Sequence, residues 1–98
     1  MFSCFIHPRA EKDVLKGVRY YGKTSPQLAV RFGADFDATV ARIMFMPFGF
    51  ALYDARHRFA KLKKFPYLVL FRVGKSVVHI VGVGHASRSG RYWGIRTK

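Results

Sequence analysis

The stretch KFPYLVLFRVGKSVVHIVGVGH, residues 64–85, decides the fold class of this 98-residue chain. It contains two long runs of β-branched, aromatic and other apolar residues, and Gly74-Lys75 separates them. Two such runs joined by a glycine-containing turn are typical of an antiparallel β-hairpin. The preceding stretch HRFAKLKK, residues 57–64, has a similar character and predicts a further strand. We therefore predict a three-stranded antiparallel meander in the C-terminal part of the chain.

Side chains alternate between the two faces of a strand, so the hairpin should have two different faces. If Val73 and Ser76 flank a two-residue turn, the face that packs on the rest of the fold carries apolar residues and glycines: Tyr67, Val69, Phe71, Val73, Val78, Ile80, Gly82 and Gly84. The opposite face is apolar in its centre and also carries basic and titratable groups: Leu68, Leu70, Arg72, Val77, His79, Val81, Val83 and His85. This second face is the candidate binding face.

Two helices are predicted in the N-terminal half. The first begins with Pro8 as its first residue and ends at Gly22, and the second has Ser25 as its N-cap and ends at Met46-Pro47. Apolar residues recur at helical spacing in both segments, and these should face the core: Val14, Leu15, Val18 and Tyr21, then Leu28, Phe32, Phe36, Val40 and Ile43. The two segments should therefore form a helical hairpin.

The segment FSCFI, residues 2–6, predicts a short N-terminal strand in which the single cysteine, Cys4, is buried. Together the elements predict an α+β fold, in which a small antiparallel sheet packs on a two-helix hairpin. The sheet would consist of the N-terminal strand and the C-terminal meander. Because the chain is short and has no internal repeat or linker, residues 1–98 should form a single domain.

The formal net charge is +13, and it is unevenly distributed along the chain. Seven bases and all five acids lie in residues 1–54, whereas the remaining residues contain eleven bases and no acid. Such a surface attracts polyanions or an acidic protein partner. The apolar run from Phe65 to Val83 contains Arg72, Lys75 and His79, so we exclude a membrane helix. The absence of a secretory signal and of a second cysteine predicts a cytoplasmic protein.

The stretch HASRSGRYWGIR, residues 85–96, carries side chains suited to binding a large partner, because Arg, Tyr and Trp most often dominate the energy of protein interfaces. With the candidate binding face it gives the predicted target-binding set: Arg72, His79, His85, Arg88, Arg91, Tyr92, Trp93 and Arg96. The four histidines lack the spacing of a zinc site, and GVGHASRSG lacks the lysine of a phosphate-binding loop. We therefore predict no metal, no cofactor and no small-molecule substrate.

The order of a strand, the helical segment SPQLAVRFGADFDATVARI, the strands KFPYLVLFRV and VVHIVGVGH and a closing Tyr-Trp pair resembles the RelE/ParE superfamily of toxins from bacterial type II toxin–antitoxin modules. The most specific part is FPYLVLFRV followed by VVHIVGVGHASR, with an aromatic-Pro-Tyr entry and a histidine followed by an arginine. The resemblance spans nearly the whole chain. It implies a small α+β fold, a cognate antitoxin that wraps and neutralises the toxin, and one of two activities: inhibition of DNA gyrase in the ParE branch, or cleavage of mRNA on the ribosome in the RelE branch.

Departures from the ribonuclease pattern favour the ParE branch. RNA cleavage needs an acid, a base and cations placed around the phosphodiester. The resemblance to RelE implies an arginine near the start of the third strand, and Leu68 takes that place here. The candidates that remain for a variant ribonuclease site are Lys61, His85, Arg88 and Tyr92, in which histidine would serve as acid or base because it titrates near neutrality. We therefore expect an inhibitor of gyrase rather than an enzyme.

Three alternatives remain open. A ribosome-dependent mRNA endonuclease would use the partial site, and an inactive relic of a toxin is also compatible with the sequence. A non-toxic basic module that binds nucleic acid would suit the charge, but it leaves the apolar centre of the candidate binding face unexplained. For a toxin, the expected partners are a small acidic, amphipathic antitoxin that folds on binding, and gyrase or the ribosome with mRNA as the target; no membrane is involved.

Overall fold

The computed structural model describes residues 2–88. Its elements in chain order are β1 (Ser3–Ile6), α1 (Pro8–Gly22), α2 (Pro26–Phe45), a short 3-10 helix (Pro47–Gly49), β2 (His57–Lys61), β3 (Tyr67–Val73) and β4 (Val77–His85). The predicted α+β class, with two helices packed on a small sheet, is confirmed. Within the described residues, no helix is long and apolar enough to cross a membrane.

The helices begin and end where the sequence predicts. Pro8 and Pro26 occupy the first turns of α1 and α2, where proline's fixed backbone angle suits the helix and its missing N–H is not needed. Ser25 caps α2, and its Oγ accepts a hydrogen bond of 3.1 Å from the backbone N–H of Gln27. Met46 ends α2 in a non-helical conformation before Pro47. Local capping chemistry therefore determines the helix limits.

The predicted core-facing side of α1 is correct for Val14, Val18 and Tyr21, which pack against the core, but wrong for Leu15. Leu15 is 55% exposed, whereas Gly17 is buried against α2. A Cβ atom at Gly17 would overlap the ring of Phe32, so the helices approach each other at this glycine and the contact side of α1 rotates toward it. The predicted apolar side of α2 is confirmed, with Phe32 and Ile43 fully buried. Cys4, which we expected to be buried, is exposed on β1, an edge strand.

The sheet has the strand order β1-β4-β3-β2. The pairs β2-β3 and β3-β4 are antiparallel, as predicted, but β1 runs parallel to β4, with Ser3 opposite Val77 and Ile6 opposite Ile80. The sheet is therefore mixed rather than wholly antiparallel. Parallel pairing requires a long connection, and both helices and two strands lie between β1 and β4 in the chain.

A β-bulge at Val81 changes the predicted faces of β4. Near the turn Val73 pairs with Val78, not with Ser76, and the register then shifts by one residue between Leu70 and Phe71. Beyond the shift, pairing places the side chains of Val83 and His85 on the helix face, beside Val69 and Tyr67. Gly82 and Gly84 lie opposite Leu70 and Leu68 on the other face. The prediction for these four β4 residues is therefore wrong, because the bulge reverses the side-chain alternation.

Two buried carboxylates join the helices to the sheet. Asp13 of α1 accepts a hydrogen bond of 2.9 Å from the backbone N–H of Val83, just past the bulge. Asp35 of α2 accepts hydrogen bonds of 3.2 and 2.8 Å from the backbone N–H groups of Lys63 and Lys64, between β2 and β3. Buried acids require such partners. These contacts hold the β2–β3 connection and the last part of β4 on the helical hairpin.

Candidate functional site

The open face, defined as the sheet face turned away from the helices, carries one row of ring and guanidinium side chains across all four strands. Paired residues share a face, and the pairs along this row are Phe5 with His79, His79 with Arg72, and Arg72 with His57. His7 follows Phe5 by two residues and reaches the same row from the end of β1. We call these five residues the open-face row.

His7 and His79 form the polar centre of the row. Nε2 of His7 lies 3.2 Å from Nδ1 of His79, and the Phe5 ring packs edge-on against His7 with 4.7 Å between ring centroids. Burial and the charge of Arg72 lower the pKa of both histidines, and for His79 the neighbouring His7 adds to the effect. Both rings are therefore neutral near pH 7, where one donates the shared hydrogen bond and the other accepts it.

Arg72 is the cation at the middle of the row. Its side chain is half-buried, and it has no side-chain hydrogen bond or ion pair with any other residue of the described part. A guanidinium offers five N–H donors in a planar arrangement that fits carboxylate and phosphate groups. Beside two neutral histidines, Arg72 is the group of the row that can attract an anion from a partner.

His57 lies at the β2 end of the row and has a structural role. Its Nδ1 lies 3.0 Å from Oδ1 of Asp54, which also accepts hydrogen bonds from the backbone N–H groups of Arg56 and His57. Burial opposes ionisation of Asp54, but these hydrogen bonds outweigh it and lower the pKa of the carboxyl group. The His57 ring is buried, so its contacts fix the turn before β2 and leave little of the ring for a ligand.

A second row on the open face shows what lies around Leu68. Lys61 of β2 pairs with Leu68 of β3, and Leu68 pairs with Gly84 of β4. Lys61 is thus the one cation of this row. A phosphodiester placed on these three residues would meet a single positive charge, far less than a developing phosphorane requires.

The end of β4 belongs to the opposite side of the sheet. His85 packs against the Tyr67 ring, with 5.4 Å between ring centroids, and its Nδ1 lies 2.8 Å from Oγ of Ser87. Tyr67 itself packs on Phe32 of α2. Burial raises the pKa of Tyr67, and the nearby charge of Arg88, which is exposed, opposes that rise. His85 therefore lies on the helix face rather than on the open face, and Arg88 is close enough to Tyr67 to act on it electrostatically.

The structure brings some of the predicted site residues together and separates others. Arg72 and His79 are adjacent in the open-face row, whereas His85 lies on the other face of the sheet and Arg88 acts on Tyr67 of that face. Lys61, the other candidate of the partial ribonuclease site, is on the open face and does not share a surface with His85. The remaining predicted residues lie outside the described part of the chain: Arg91, Tyr92, Trp93 and Arg96.

Sequence reasoning did not include Phe5 or His7 in the site. Their spacing of two residues indicates a shared face, but their approach to His79 depends on the parallel pairing of β1 with β4, which no local pattern predicts. Among residues 2–88, no three His, Cys, Asp or Glu side chains converge in a group that could hold a metal ion.

The comparisons with known proteins agree with this architecture. Residues 5–90 match the model of a family described as the ParE toxin of the type II toxin–antitoxin system parDE. A solved structure titled "Chromosomal ParDE TA system from P. aeruginosa" superposes with a TM-score of 0.77 at 19% sequence identity, covering 87% of this chain and 96% of that chain, which supports the fold. No curated protein matches the chain. Since the family model spans most of its length, the chain belongs to the ParE toxin family of type II toxin–antitoxin systems.

Proposed function

We propose that this protein is an active toxin that inhibits DNA gyrase and is neutralised by a cognate antitoxin. The observation that carries the proposal is the match of residues 5–90 to the ParE toxin family. The chemistry of the open face supports the same choice, because the place where a nuclease needs a second cation holds Leu68.

The geometry offers little support for RNA cleavage. A general acid or base must reach the same phosphodiester as the cations that stabilise its transition state. Lys61 lies on the open face, and His85 lies against Tyr67 on the helix face. His7 and His79 are together on the open face, but they hydrogen-bond to each other and Arg72 is the one cation beside them.

An inhibitor instead needs a surface that binds a large target. Within the described residues Arg72 has no side-chain partner, and Phe5, on the other side of His79 in the same row, is 48% exposed, so the open face combines charge with aromatic surface. Beyond residue 88 the sequence adds three residues of types that are common at protein interfaces: Arg91, Tyr92 and Trp93. These residue types most often supply the binding energy of protein interfaces.

An exposed apolar patch at the end of α2 supports the antitoxin part of the proposal. Phe45 is 84% exposed, and other exposed apolar residues follow it closely in the chain: Met46, Phe48 and Leu52. Phe45 and Met46 also line a shallow apolar groove with Phe50. Large exposed apolar patches mark protein contacts, and an amphipathic antitoxin segment could bury its apolar side here while its acids meet the basic surface.

A gyrase assay tests the proposal directly. Purified protein added to gyrase and relaxed plasmid should abolish supercoiling or cause linear, cleaved DNA to accumulate. In a translating ribosome reaction the same preparation should leave mRNA intact. Ribosome-dependent cleavage that requires His85 and Tyr92, with normal supercoiling, would overturn the proposal in favour of the mRNA endonuclease.

Co-expression tests the partner. The reading frame next to the toxin gene should encode a small acidic protein that restores growth and co-purifies with the toxin. Phe45→Ser combined with Phe48→Ser should weaken that complex, whereas Val30→Ser, another exposed apolar residue on α2, should leave it unchanged. Equal growth with and without the neighbouring frame, and no complex, would contradict neutralisation by an antitoxin.

A further inference from the structure

Five basic side chains form one stripe along α1, which we call the α1 stripe: Arg9, Lys12, Lys16, Arg19 and Lys23. They are separated by intervals of three, four, three and four residues. At 100° per residue these positions fall within an arc of about 80°, and at 1.5 Å per residue they span about 21 Å. All five are exposed, with Lys23 at the C-cap of the helix.

No acid of the described residues neutralises the α1 stripe. None of its five side chains has an ion pair or side-chain hydrogen bond within residues 2–88. Of the two acids on α1, Asp13 is buried and bound to the backbone of Val83, and Glu11 lies about 120° around the helix from the centre of the stripe. The stripe therefore presents its full charge to solvent.

This arrangement opposes the stability of the helix. Like charges three or four residues apart on a helix repel each other and destabilise it. Arg9 and Lys12 also lie near the N-terminus of α1, where the helix dipole favours negative charge. Nothing within the described fold compensates for this repulsion, whereas an external polyanion would.

The borders of the stripe favour nucleic acid over an acidic protein helix. A partner helix needs a continuous apolar seam beside the charges, but Leu15 and Tyr20 lie singly on opposite borders of the stripe. The exposed apolar residues instead collect at the far end of α2, around Phe45. Phosphates bind solvated Lys and Arg without an apolar seam, and a duplex carries one charge for about every 1.7 Å of its axis.

We propose that the α1 stripe binds the phosphate backbone of duplex DNA without sequence preference. The inference goes beyond the proposed inhibition of gyrase, because it concerns binding of DNA by the protein alone. It would place the toxin on the DNA that gyrase holds, but its test does not require gyrase activity.

The test uses fluorescence anisotropy of the purified full chain with two labelled duplexes of unrelated sequence, over a series of salt concentrations. The stripe variant carries Lys12→Gln, Lys16→Gln and Arg19→Gln. The matched control carries Lys63→Gln, Lys64→Gln and Lys75→Gln, which removes the same charge from exposed lysines elsewhere. Circular dichroism and urea unfolding first check that both variants fold, which is expected because all six substituted positions are exposed.

Wild-type protein should bind both duplexes with similar affinity and a steep salt dependence. The stripe variant should lose about tenfold or more in affinity, and its slope of log K against log salt should decrease in magnitude by about 3, because three phosphate contacts are lost. The control should stay close to wild type. No binding by the wild type, or equal losses in the two variants, would overturn the inference. So would a stripe variant that keeps DNA binding and instead loses its antitoxin, which would make the stripe a protein-binding surface.

Discussion

Strand β4 presents its two histidines to different surroundings. His79 lies before the bulge at Val81, on the open face, in contact with His7 and beside Arg72. His85 lies after the bulge, against Tyr67 on the helix face. Six residues separate them, and in a regular strand an even interval would keep them on the same face. One inserted residue thus divides the predicted site into two separate parts, which experiments can address independently.

The largest expected effect concerns the part beyond the bulge. Arg88→Ala combined with Arg91→Ala should abolish growth inhibition, because the loss of interface arginines at binding hot spots weakens an interface by about 30-fold or more. Viable counts after induction measure the effect. The control, Lys63→Ala with Lys64→Ala, removes the same charge and should remain toxic. Persistent toxicity of the arginine variant, with normal protein levels, would remove Arg88 and Arg91 from the predicted target-binding set.

The next effect concerns the contact that holds the bulged end of β4. Asp13→Ala leaves the buried N–H of Val83 without its carboxylate acceptor, so the free energy of unfolding should fall by about 1–3 kcal/mol. Glu11→Ala, an exposed acid on the same helix, should change it by less than about 0.5 kcal/mol. Urea unfolding compares the two variants. Similar values would show that Asp13 does not tie β4 to α1.

A smaller effect is the pH dependence of stability that His7 and His79 should cause. The pKa values of His7 and His79 are lowered in the folded state, so the unfolded chain binds more protons once the pH falls below the ordinary histidine pKa of about 6.5. The stabilising contribution of the neutral pair is complete above that pH and is lost as the pH falls through the folded pKa values. The free energy of unfolding should therefore decrease between about pH 7.5 and pH 5.

Matched variants identify the source of that pH dependence. His7→Gln with His79→Gln should flatten the decrease, whereas His85→Gln should leave it as in the wild type. Urea unfolding at several pH values provides the measurement. A slope unchanged by the double substitution would mean that the open-face histidines do not couple folding to protonation.

The smallest expected effect is a change in the pKa of one histidine, His79. Arg72→Gln should raise the pKa of His79 toward its ordinary value, because a neighbouring positive charge is removed while the ring stays partly buried. Lys75→Gln, at the exposed turn between β3 and β4, serves as the control and should leave the pKa of His79 unchanged. NMR titration of the histidine Cε1–H signals measures both. An unchanged pKa of His79 in the Arg72 variant would show that the guanidinium lies too far from the ring to act on it.

Local chemistry explains which parts of the fold the sequence predicts correctly. The limits of both helices follow from Pro8, Pro26 and the Ser25 cap, whose preferences depend on the neighbouring backbone alone. The meander follows from runs of β-branched and aromatic residues around one turn. The predicted placement of Arg72 and His79 on the same face is correct because both lie between the turn and the bulge, where the alternation is regular.

Long-range contacts explain the rest. The bulge that moves His85 to the helix face lies beside a backbone group that Asp13 binds from α1, 70 residues earlier in the chain. The inclusion of Phe5 and His7 in the open-face row depends on the parallel pairing of β1, an edge strand whose direction no turn fixes. Arg91, Tyr92, Trp93 and Arg96 lie outside the described residues, so their part of the predicted site stays a prediction.

The contact between Gly17 and Phe32 has a genetic consequence. No side chain fits at Gly17, whereas a Cβ at Gly33, in the next helix, would meet no atom within 4 Å. In a library of variants selected only for folded, antitoxin-bound protein, Gly17 should admit no other residue. Gly33→Ala should be enriched, since alanine stabilises a helix interior by about 1 kcal/mol relative to glycine. The results at these two glycines would serve as internal controls for folding in such a library. With them, substitutions that remove toxicity alone can be separated from substitutions that prevent folding.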